Sequence, residues 1–157
     1  GNGSGTWTRC EDDRGPAPGN DAAYLVDTSV WVEWLKGQDT PEAGWLGHAI
    51  VRDTDIVVPG LVITEVLRGV ASEHEARRLE HLFGQFDAAP PLDDRDYHDA
   101  ARLYRHCRTK GVTIASTVDC LIAQLAIRHR LGLVTRDHDF QAIARVTPLK
   151  VARPPAH

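Results

Sequence analysis

Between residues 23 and 152, short apolar runs alternate with longer segments whose apolar positions recur at helical spacing. The apolar runs predict buried strands over 24–26, 55–59, 132–135 and 148–151, and an edge strand over 88–92, where two prolines disfavour a central position. The amphipathic segments predict helices over 30–37, from Pro41 onward, and over 60–70, 73–86, 93–111, 116–130 and 139–146. Strands that alternate with helices predict an α/β fold, in which a central, mostly parallel sheet is flanked by helices.

The two ends of the chain differ from this pattern. Residues 1–22 are rich in Gly, Pro, Asn and Asp and show no hydrophobic period, which predicts a flexible leader or an expression remnant. Residues 153–157 read as a loose tail, so one domain is predicted over 23–152. No stretch approaches the ~20 consecutive apolar residues of a membrane span, and none resembles a signal peptide. We therefore expect no membrane association and a cytoplasmic location.

The charge distribution disfavours one class of protein and permits another. A net charge of −4 and a pI near 6.0 argue against a uniformly basic nucleic-acid coat. Residues 1–92 hold 15 acidic and 7 basic side chains, whereas residues 93–157 hold 7 acidic and 11 basic ones, so the second part could face a phosphate-bearing partner. The three cysteines, Cys10, Cys107 and Cys120, have no CxxC spacing and predict neither a disulfide framework nor a zinc site.

Four acidic residues lie where the predicted fold could bring them together. Asp27 and Asp137 come just after predicted strands, and Glu65 and Asp119 lie in helices beside apolar runs. In parallel α/β sheets the functional crevice lies at the carboxyl ends of the strands. Carboxylates that face one another repel unless a cation lies between them, and oxygen ligands without His or Cys suit Mg²⁺ or Mn²⁺. The four acids are therefore candidates for a metal site.

Each acid also has a purely structural interpretation. Residues 116–119 match a capping box, in which Asp119 would satisfy a backbone N–H at the start of its helix. Asp27 could cap the helix that follows it, and Glu65 could pair with Arg68 on a helix surface. Asp137 lies in a loop, where polar residues are common. For each acid taken singly, these interpretations stay open.

The sequence lacks motifs for several other kinds of chemistry. The histidines show no HxxxH or HExxH spacing, which disfavours a zinc hydrolase. No GxxxxGK[ST], GxGxxG or GxSxG pattern supports a nucleotide-binding or serine-hydrolase site. A haloacid-type phosphatase would need a second Asp two residues after the first, and Ser29 stands there instead.

Four segments together carry a family resemblance: YLVDTSVWVEWLKG, VPGLVITEVLRG, STVDCLIAQLAIRHRLGLVTRDHDF and AIARVTPLKV. In composition and order they resemble the PIN-domain family, and most of all its VapC-type toxin branch, over about residues 23–152. The resemblance implies a 5′-nuclease-like α/β sandwich. It also implies that the catalytic and metal-binding acids are Asp27, Glu65, Asp119 and Asp137.

The resemblance further assigns roles within the site. Asp27 and Asp119 would hold the principal Mg²⁺ or Mn²⁺, and Glu65 would complete or bridge the site. Asp137 would position the attacking water or a second ion. The supporting hydroxyl groups, which would bond to the acids or to a metal-bound water, are those of Thr28, Ser29, Thr117 and Thr135. Asp139 matches the second acid of the TRDxDF motif; its role is open, and it could cap a helix that starts at Phe140.

The function implied by the resemblance is that of a metal-dependent endoribonuclease, the toxin of a type II toxin–antitoxin pair. A homodimer, an RNA substrate and a cognate VapB-type antitoxin are implied with it. Trp31, Trp34 and Trp45 are either contacts for that partner or residues of the core or dimer interface. The alternative is a catalytically weak PIN-like binding module that acts with its antitoxin as a DNA-bound repressor complex, although all four acids are intact.

Overall fold

Four short parallel strands form the sheet of the computed structural model, which describes residues 23–154. The strands are β1 (Tyr24–Val26), β2 (Ile56–Val58), β3 (Asp87–Ala88) and β4 (Gly132–Val134), and they lie in the order β3–β2–β1–β4. The predicted α/β fold with a parallel central sheet is confirmed. The predicted leader, 1–22, and the last part of the predicted tail, 155–157, lie outside the described residues.

The helices connect the strands and flank the sheet: α1 (Thr28–Leu35), α2 (Pro41–Val51), α3 (Gly60–Leu67), α4 (Glu73–Phe83), α5 (Asp94–Thr109), α6 (Thr117–Arg128) and α7 (His138–Val146). All the predicted helices are present, with ends shifted by a few residues. The Thr40 side chain caps α2 by accepting a hydrogen bond from the Ala43 N–H (3.2 Å), and Pro41 takes the first helical position. None of these helices has the length and apolar character needed to cross a bilayer.

The central position of β1 explains why the strand segments are continuous apolar runs. Leu25 pairs with Val57 of β2 on one side and with Leu133 of β4 on the other. Every residue of β1, β2 and β4 is buried. Strands that are covered on both faces have no solvent-facing positions, so they lack the polar alternation of a half-exposed strand.

The edge strand predicted over 88–92 is shorter than expected and begins one residue earlier. It consists of Asp87–Ala88 and pairs with β2 at the edge of the sheet. The edge position is as predicted. The strand ends before Pro90 and Pro91, because proline has no N–H to donate to a strand ladder.

The strand predicted over 148–151 is reduced to a single parallel bridge between Leu133 and Val151. Pro148 has no N–H, and the N–H of Leu149 donates to the Thr147 hydroxyl at 3.2 Å rather than to a strand. The segment pairs with β4 only at its end, where the Leu133 N–H donates to the Lys150 carbonyl oxygen at 2.9 Å and the Ala152 N–H donates to the Leu133 carbonyl oxygen at 2.8 Å. The predicted strand is therefore realised only as this bridge.

Trp31 lies in the core and not on the surface. It is fully buried on α1, and its ring makes edge-on contacts with Phe83 and Phe86 at centroid distances of 5.0 and 5.6 Å. The interpretation of Trp31 as a partner contact is therefore wrong. Trp34 and Trp45 are half-buried and pack against the same core, which supports the core interpretation for them as well.

A buried acid fixes α5 against α6. Asp96, in the first turn of α5, is completely buried and forms a reciprocal capping box with Asp93. Its carboxylate also accepts hydrogen bonds from Nη1 of Arg128 (2.5 Å) and Nε2 of Gln124 (3.4 Å), both on α6. Because the start of α5 contacts the end of α6, the two helices run antiparallel. We call this group of contacts the Asp96 clamp.

The same pair of helices contains two of the three cysteines. Cys107 and Cys120 are buried and free, and Cys10 lies outside the described residues. Burial raises the pKa of the Cys107 thiol to about 11, so this thiol stays protonated at neutral pH. Neither cysteine of this pair offers a thiolate for chemistry.

Candidate active site

The carboxyl ends of β1 and β4 lie next to each other. Val26 pairs with Val134, and the N–H of Asp27 donates to the Val134 carbonyl oxygen at 2.9 Å. Asp27 therefore follows β1 at the same edge of the sheet where Thr135 and Asp137 follow β4. This is the edge at which a parallel sheet places its functional groups.

Asp27 is 5% exposed and is held by two hydroxyl groups. Ser29 Oγ and Thr135 Oγ1 both donate to its Oδ2, at 2.8 and 3.0 Å. Burial raises the pKa of Asp27, and these hydrogen bonds partly offset the rise. Asp27 stands at the N-cap position of α1, but its side chain makes no capping hydrogen bond of standard geometry there. Its carboxylate is oriented by the two hydroxyls, which are two of the four supporting hydroxyls inferred from the sequence.

Glu65 contacts α1 rather than its own helix surface. Thr28 Oγ1 donates to Glu65 Oε1 at 3.0 Å, and both residues are half-buried. Among the ion pairs of residues 23–154, none joins Glu65 to Arg68, so the surface-pair interpretation is not realised. The hydrogen bond ties α3 to the first residue of α1, next to Asp27.

Asp119 lies in the first turn of α6 and does not complete the capping box that its spacing suggests. Ser116 caps the helix by accepting from the Val118 N–H at 3.1 Å, and within the described residues no hydrogen bond runs from the Ser116 N–H back to Asp119. The pKa of Asp119 is raised to about 6, first by burial and then by the negative charges of four other acids, Asp27, Asp137, Glu65 and Asp139. Asp119 is thus the acid whose pKa the charges of the other four acids raise further.

Asp137 and Asp139 occupy the start of α7. The Asp137 side chain caps this helix by accepting from the Asp139 N–H (2.9 Å), and its own N–H donates to Thr135 Oγ1 (3.0 Å). The helix begins at His138, so the suggestion that Asp139 caps a helix starting at Phe140 is wrong. Asp139 is instead free to join Asp119 and Asp137, and one carboxylate oxygen from each lies within 4.8 Å of the others.

The cluster has the composition of a site for a hard divalent cation. It consists of five carboxylates, those of Asp27, Glu65, Asp119, Asp137 and Asp139, which we call the five-acid cluster. Within residues 23–154, no Lys or Arg forms an ion pair with any of them. A cation would relieve the repulsion that raises the pKa of Asp119, and oxygen donors without nitrogen or sulfur suit Mg²⁺ or Mn²⁺. The residues present fit such an ion.

Two residues differ from the site residues expected from the sequence, one by its lack of contacts and the other by its contacts. Thr117 is exposed, and no hydrogen bond of the described part of the chain connects it to an acid. Arg136 was not singled out, yet it contacts both Ser29 and the glutamates Glu33 and Glu42. Those partners lie 94–107 positions away in sequence, so no local pattern could reveal them.

Comparison with known proteins agrees with this geometry. Residues 24–146 match the PIN domain family. The VapC ribonuclease Mb1587 of Mycobacterium bovis and the ribonuclease VapC11 of Mycobacterium tuberculosis are each 36% identical to the chain over 129 residues, which is 82% of this chain and 96% of the relative. The sequence similarity therefore spans all the elements that carry the five-acid cluster.

Solved structures share the fold at lower identity. The FitAcB structure from Neisseria gonorrhoeae has a TM-score of 0.63 and 23% identity, and the match covers 83% of this chain and 97% of the other. VapBC2 from Rickettsia felis, bound to a DNA fragment from its promoter, has a TM-score of 0.63 and 18% identity, with 80% and 96% covered. These likenesses support the arrangement of sheet and helices.

Proposed function

The chain belongs to the PIN domain family, and from this premise we propose that it is a metal-dependent endoribonuclease, the toxin of a type II toxin–antitoxin pair. The observation that carries the proposal is the five-acid cluster at the carboxyl ends of β1 and β4, in which Asp119 is under the influence of four other carboxylates. The 36% identity to proteins named as VapC ribonucleases supports the same reaction.

The proposed ligands are carboxylates of the cluster. Asp27 and Asp119 would hold the principal Mg²⁺ or Mn²⁺, and Glu65 would complete or bridge the site. Asp137 would position the attacking water or a second ion, and Asp139 joins this set because it lies within reach of Asp119 and Asp137. A divalent ion held there supplies an activated water and neutralises charge on the phosphodiester.

The protein's own contribution is orientation and proton control. Ser29 and Thr135 fix the Asp27 carboxylate, and Thr28 fixes Glu65, so these acids do not need to reorganise when a substrate arrives. Burial and the neighbouring acids raise the pKa of Asp119 to about 6, so its carboxyl group loses its proton just below neutral pH. The oriented carboxylates would then face the phosphate of an RNA strand.

The proposed substrate is RNA in single-stranded or looped form, since duplex RNA hides its base edges. We also propose a homodimer and a cognate VapB-type antitoxin. One feature of the chain argues against the alternative function, that of a catalytically weak module in a DNA-bound repressor complex. A module without catalysis would have no reason to keep five uncompensated carboxylates together, because their mutual repulsion costs stability.

Cleavage of total RNA with and without chelator tests the proposal. The wild-type protein should cleave RNA with added Mg²⁺ or Mn²⁺ and lose this activity in EDTA. Asp119→Asn should abolish cleavage, whereas Asp94→Asn should not, because Asp94 is an exposed acid in the first turn of α5, away from the cluster. Equal activity of Asp119→Asn and wild type, or cleavage that survives EDTA, would refute the metal-dependent function.

A further inference from the structure

Arg136 lies in the loop between β4 and α7, and its main chain contacts the site. It stands between Thr135 and Asp137, and its N–H donates to Ser29 Oγ at 3.0 Å. The same Ser29 hydroxyl donates to Asp27 Oδ2 at 2.8 Å. The backbone of residue 136 is therefore one hydroxyl group away from a site carboxylate, and any shift of this loop would move that hydroxyl.

The side chain of Arg136 is anchored by two helices. Its Nε lies 3.3 Å from Oε1 of Glu33 on α1, and its Nη1 lies 3.3 Å from Oε2 of Glu42 on α2. The other oxygen of Glu33 accepts a hydrogen bond from the hydroxyl of Thr40, the N-cap residue of α2, at 2.9 Å. The two glutamate side chains are 19% and 18% exposed and the Arg136 side chain is 42% exposed, so the glutamates are half-buried while solvent reaches the guanidinium group.

The charge balance around Arg136 explains what the two glutamates add. A lone guanidinium next to the five-acid cluster would be attracted to the carboxylates and would compete with a cation for them. Glu33 and Glu42 offer acceptors on separate helices, and the planar guanidinium group can satisfy both at once. Within the described residues, the ion pairs of Arg136 go to these two acids and not to the cluster.

We propose that Arg136 is a positioning residue for the five-acid cluster. Anchored to Glu33 and Glu42, it holds the loop that carries Thr135 and Asp137, and with it the Ser29 contact to Asp27, in the arrangement that binds a divalent cation. The inference rests on the proposed metal-dependent function. It assigns a role in the geometry of the site to a residue whose side chain pairs with Glu33 and Glu42 and not with a carboxylate of the cluster.

The charge of Arg136 and its positioning role predict opposite effects on cation binding. If charge alone mattered, Arg136→Gln would remove a positive charge beside an acidic site and would tighten Mn²⁺ binding. If the residue positions the loop, the same substitution weakens Mn²⁺ binding by about tenfold, the lower end of what outer partners of metal ligands contribute. Glu33→Gln should weaken binding less than Arg136→Gln, because Glu42 still holds the guanidinium group, and the double variant should bind no more weakly than Arg136→Gln alone.

Calorimetric titration of the full chain with Mn²⁺, without RNA, measures whether the substitution weakens or tightens Mn²⁺ binding. Arg145→Gln is the matched control, since Arg145 is an exposed arginine in the last turn of α7. We expect weaker binding in Arg136→Gln and unchanged binding in Arg145→Gln. Tighter or unchanged Mn²⁺ binding in Arg136→Gln overturns the positioning role. Weaker RNA affinity in this variant, with Mn²⁺ binding intact, would identify Arg136 as a phosphate contact and would also overturn it.

Amide hydrogen exchange of the metal-free protein gives a readout that needs neither metal nor activity. Loss of the anchor should speed exchange in residues 134–139 of Arg136→Gln and leave β1 unchanged, because only the loop loses its contacts. Unchanged exchange in this loop overturns the proposal. A wild-type protein that binds no Mn²⁺ refutes the metal site of the proposed function, and the exchange measurement then still decides whether Arg136 anchors the loop.

Discussion

Asp96 and Asp119 occupy the same position, the third residue, in two consecutive helices, and their surroundings are opposite. Asp96 is completely buried, takes part in a capping box, and accepts a hydrogen bond from Nη1 of Arg128 at 2.5 Å. Asp119 is half-buried, forms no capping box, and is surrounded by the charges of four other carboxylates. Within residues 23–154, Arg128 neutralises the first acid, whereas no Lys or Arg forms an ion pair with the second.

This difference separates an acid that stabilises the fold from an acid that is available for chemistry. A buried carboxylate is tolerated when a cation and hydrogen bonds compensate for its lost hydration, and the Asp96 clamp meets this condition. At Asp119, burial and then the uncompensated charges of the other acids raise the pKa to about 6, which is a cost to the folded state at neutral pH. Perturbed pKa values of this kind concentrate at functional sites. The surroundings, and not the position in the helix, decide the role.

The largest expected effect concerns the acid that is compensated. Asp96→Ala should lower the free energy of unfolding by about 3 kcal/mol, because it leaves Gln124 without its acceptor, reduces the partners of Arg128 to Asp93 alone (3.2 Å), and removes the reciprocal capping box. The value lies at the low end for a buried pair, since the Arg128 side chain is 40% exposed and can be rehydrated. Urea denaturation of the metal-free protein measures it.

The control for the clamp is Asp94→Ala, which removes an exposed acid from the first turn of the same helix. It should change the free energy of unfolding by no more than about 0.5 kcal/mol. A loss below about 1 kcal/mol in Asp96→Ala would contradict the view that Asp96 is the structural acid of the pair.

The next largest effect concerns an acid of the five-acid cluster and is measured as RNA cleavage. Glu65→Gln should reduce RNA cleavage by at least about tenfold while changing the free energy of unfolding by less than about 0.5 kcal/mol, because the amide oxygen still accepts from Thr28. Arg68→Ala should preserve cleavage. Similar, small losses of activity in both variants would indicate that Glu65 is a helix surface residue with no part in catalysis.

The parts of this picture that the sequence predicts are those governed by local rules. The buried strands follow from apolar runs, and the meeting of Asp27 and Asp137 follows from parallel strands that end at one edge. The tertiary contacts of the Asp96 clamp and of Arg136 were missed, because they join residues 28–107 positions apart and depend on how helices pack. The capping box predicted at Asp119 failed for a related reason. Its carboxylate is drawn into tertiary surroundings, and Ser116 caps the helix alone.

The pH dependence of stability gives a third, smaller effect. Asp119 has a pKa of about 6 in the folded chain and an ordinary value of 3.8, so between these values the folded state binds more protons than the unfolded state. The stability of the metal-free protein should therefore fall as the pH rises from about 4 to 6 and then level off. Asp119→Asn should remove this loss and be more stable than wild type at pH 7 by about 1 kcal/mol, a value reduced for solvent screening of a half-buried group.

Denaturation at pH 4.5 and pH 7 in EDTA, for wild type and Asp119→Asn, checks the sign. The stability difference between the two proteins should grow with pH. Added Mn²⁺ should reverse the order at pH 7, because only the wild-type cluster gains from binding the ion. If Asp119→Asn were less stable than wild type at pH 7 without metal, Asp119 would resemble Asp96 and the comparison would fail.

The smallest expected effect concerns how a partner would neutralise the cluster. For Asp96 the compensating charge comes from Arg128 of the same chain; for the five-acid cluster we expect it to come from an arginine of the antitoxin, which would reach the carboxylates as a charge-assisted ligand. Such an arginine competes with the metal for the same oxygens. At fixed ionic strength, exchanging Na⁺ for Mg²⁺ should weaken antitoxin binding about fourfold when free Mg²⁺ is roughly three times its own Kd. General screening cannot produce this change, since it is equal for solutions of equal ionic strength. The antitoxin affinity could instead be the same in Na⁺ and Mg²⁺, with full metal binding retained in the complex. This result would show that the partner leaves the cluster open and binds elsewhere, for example beside half-buried Trp34 on α1.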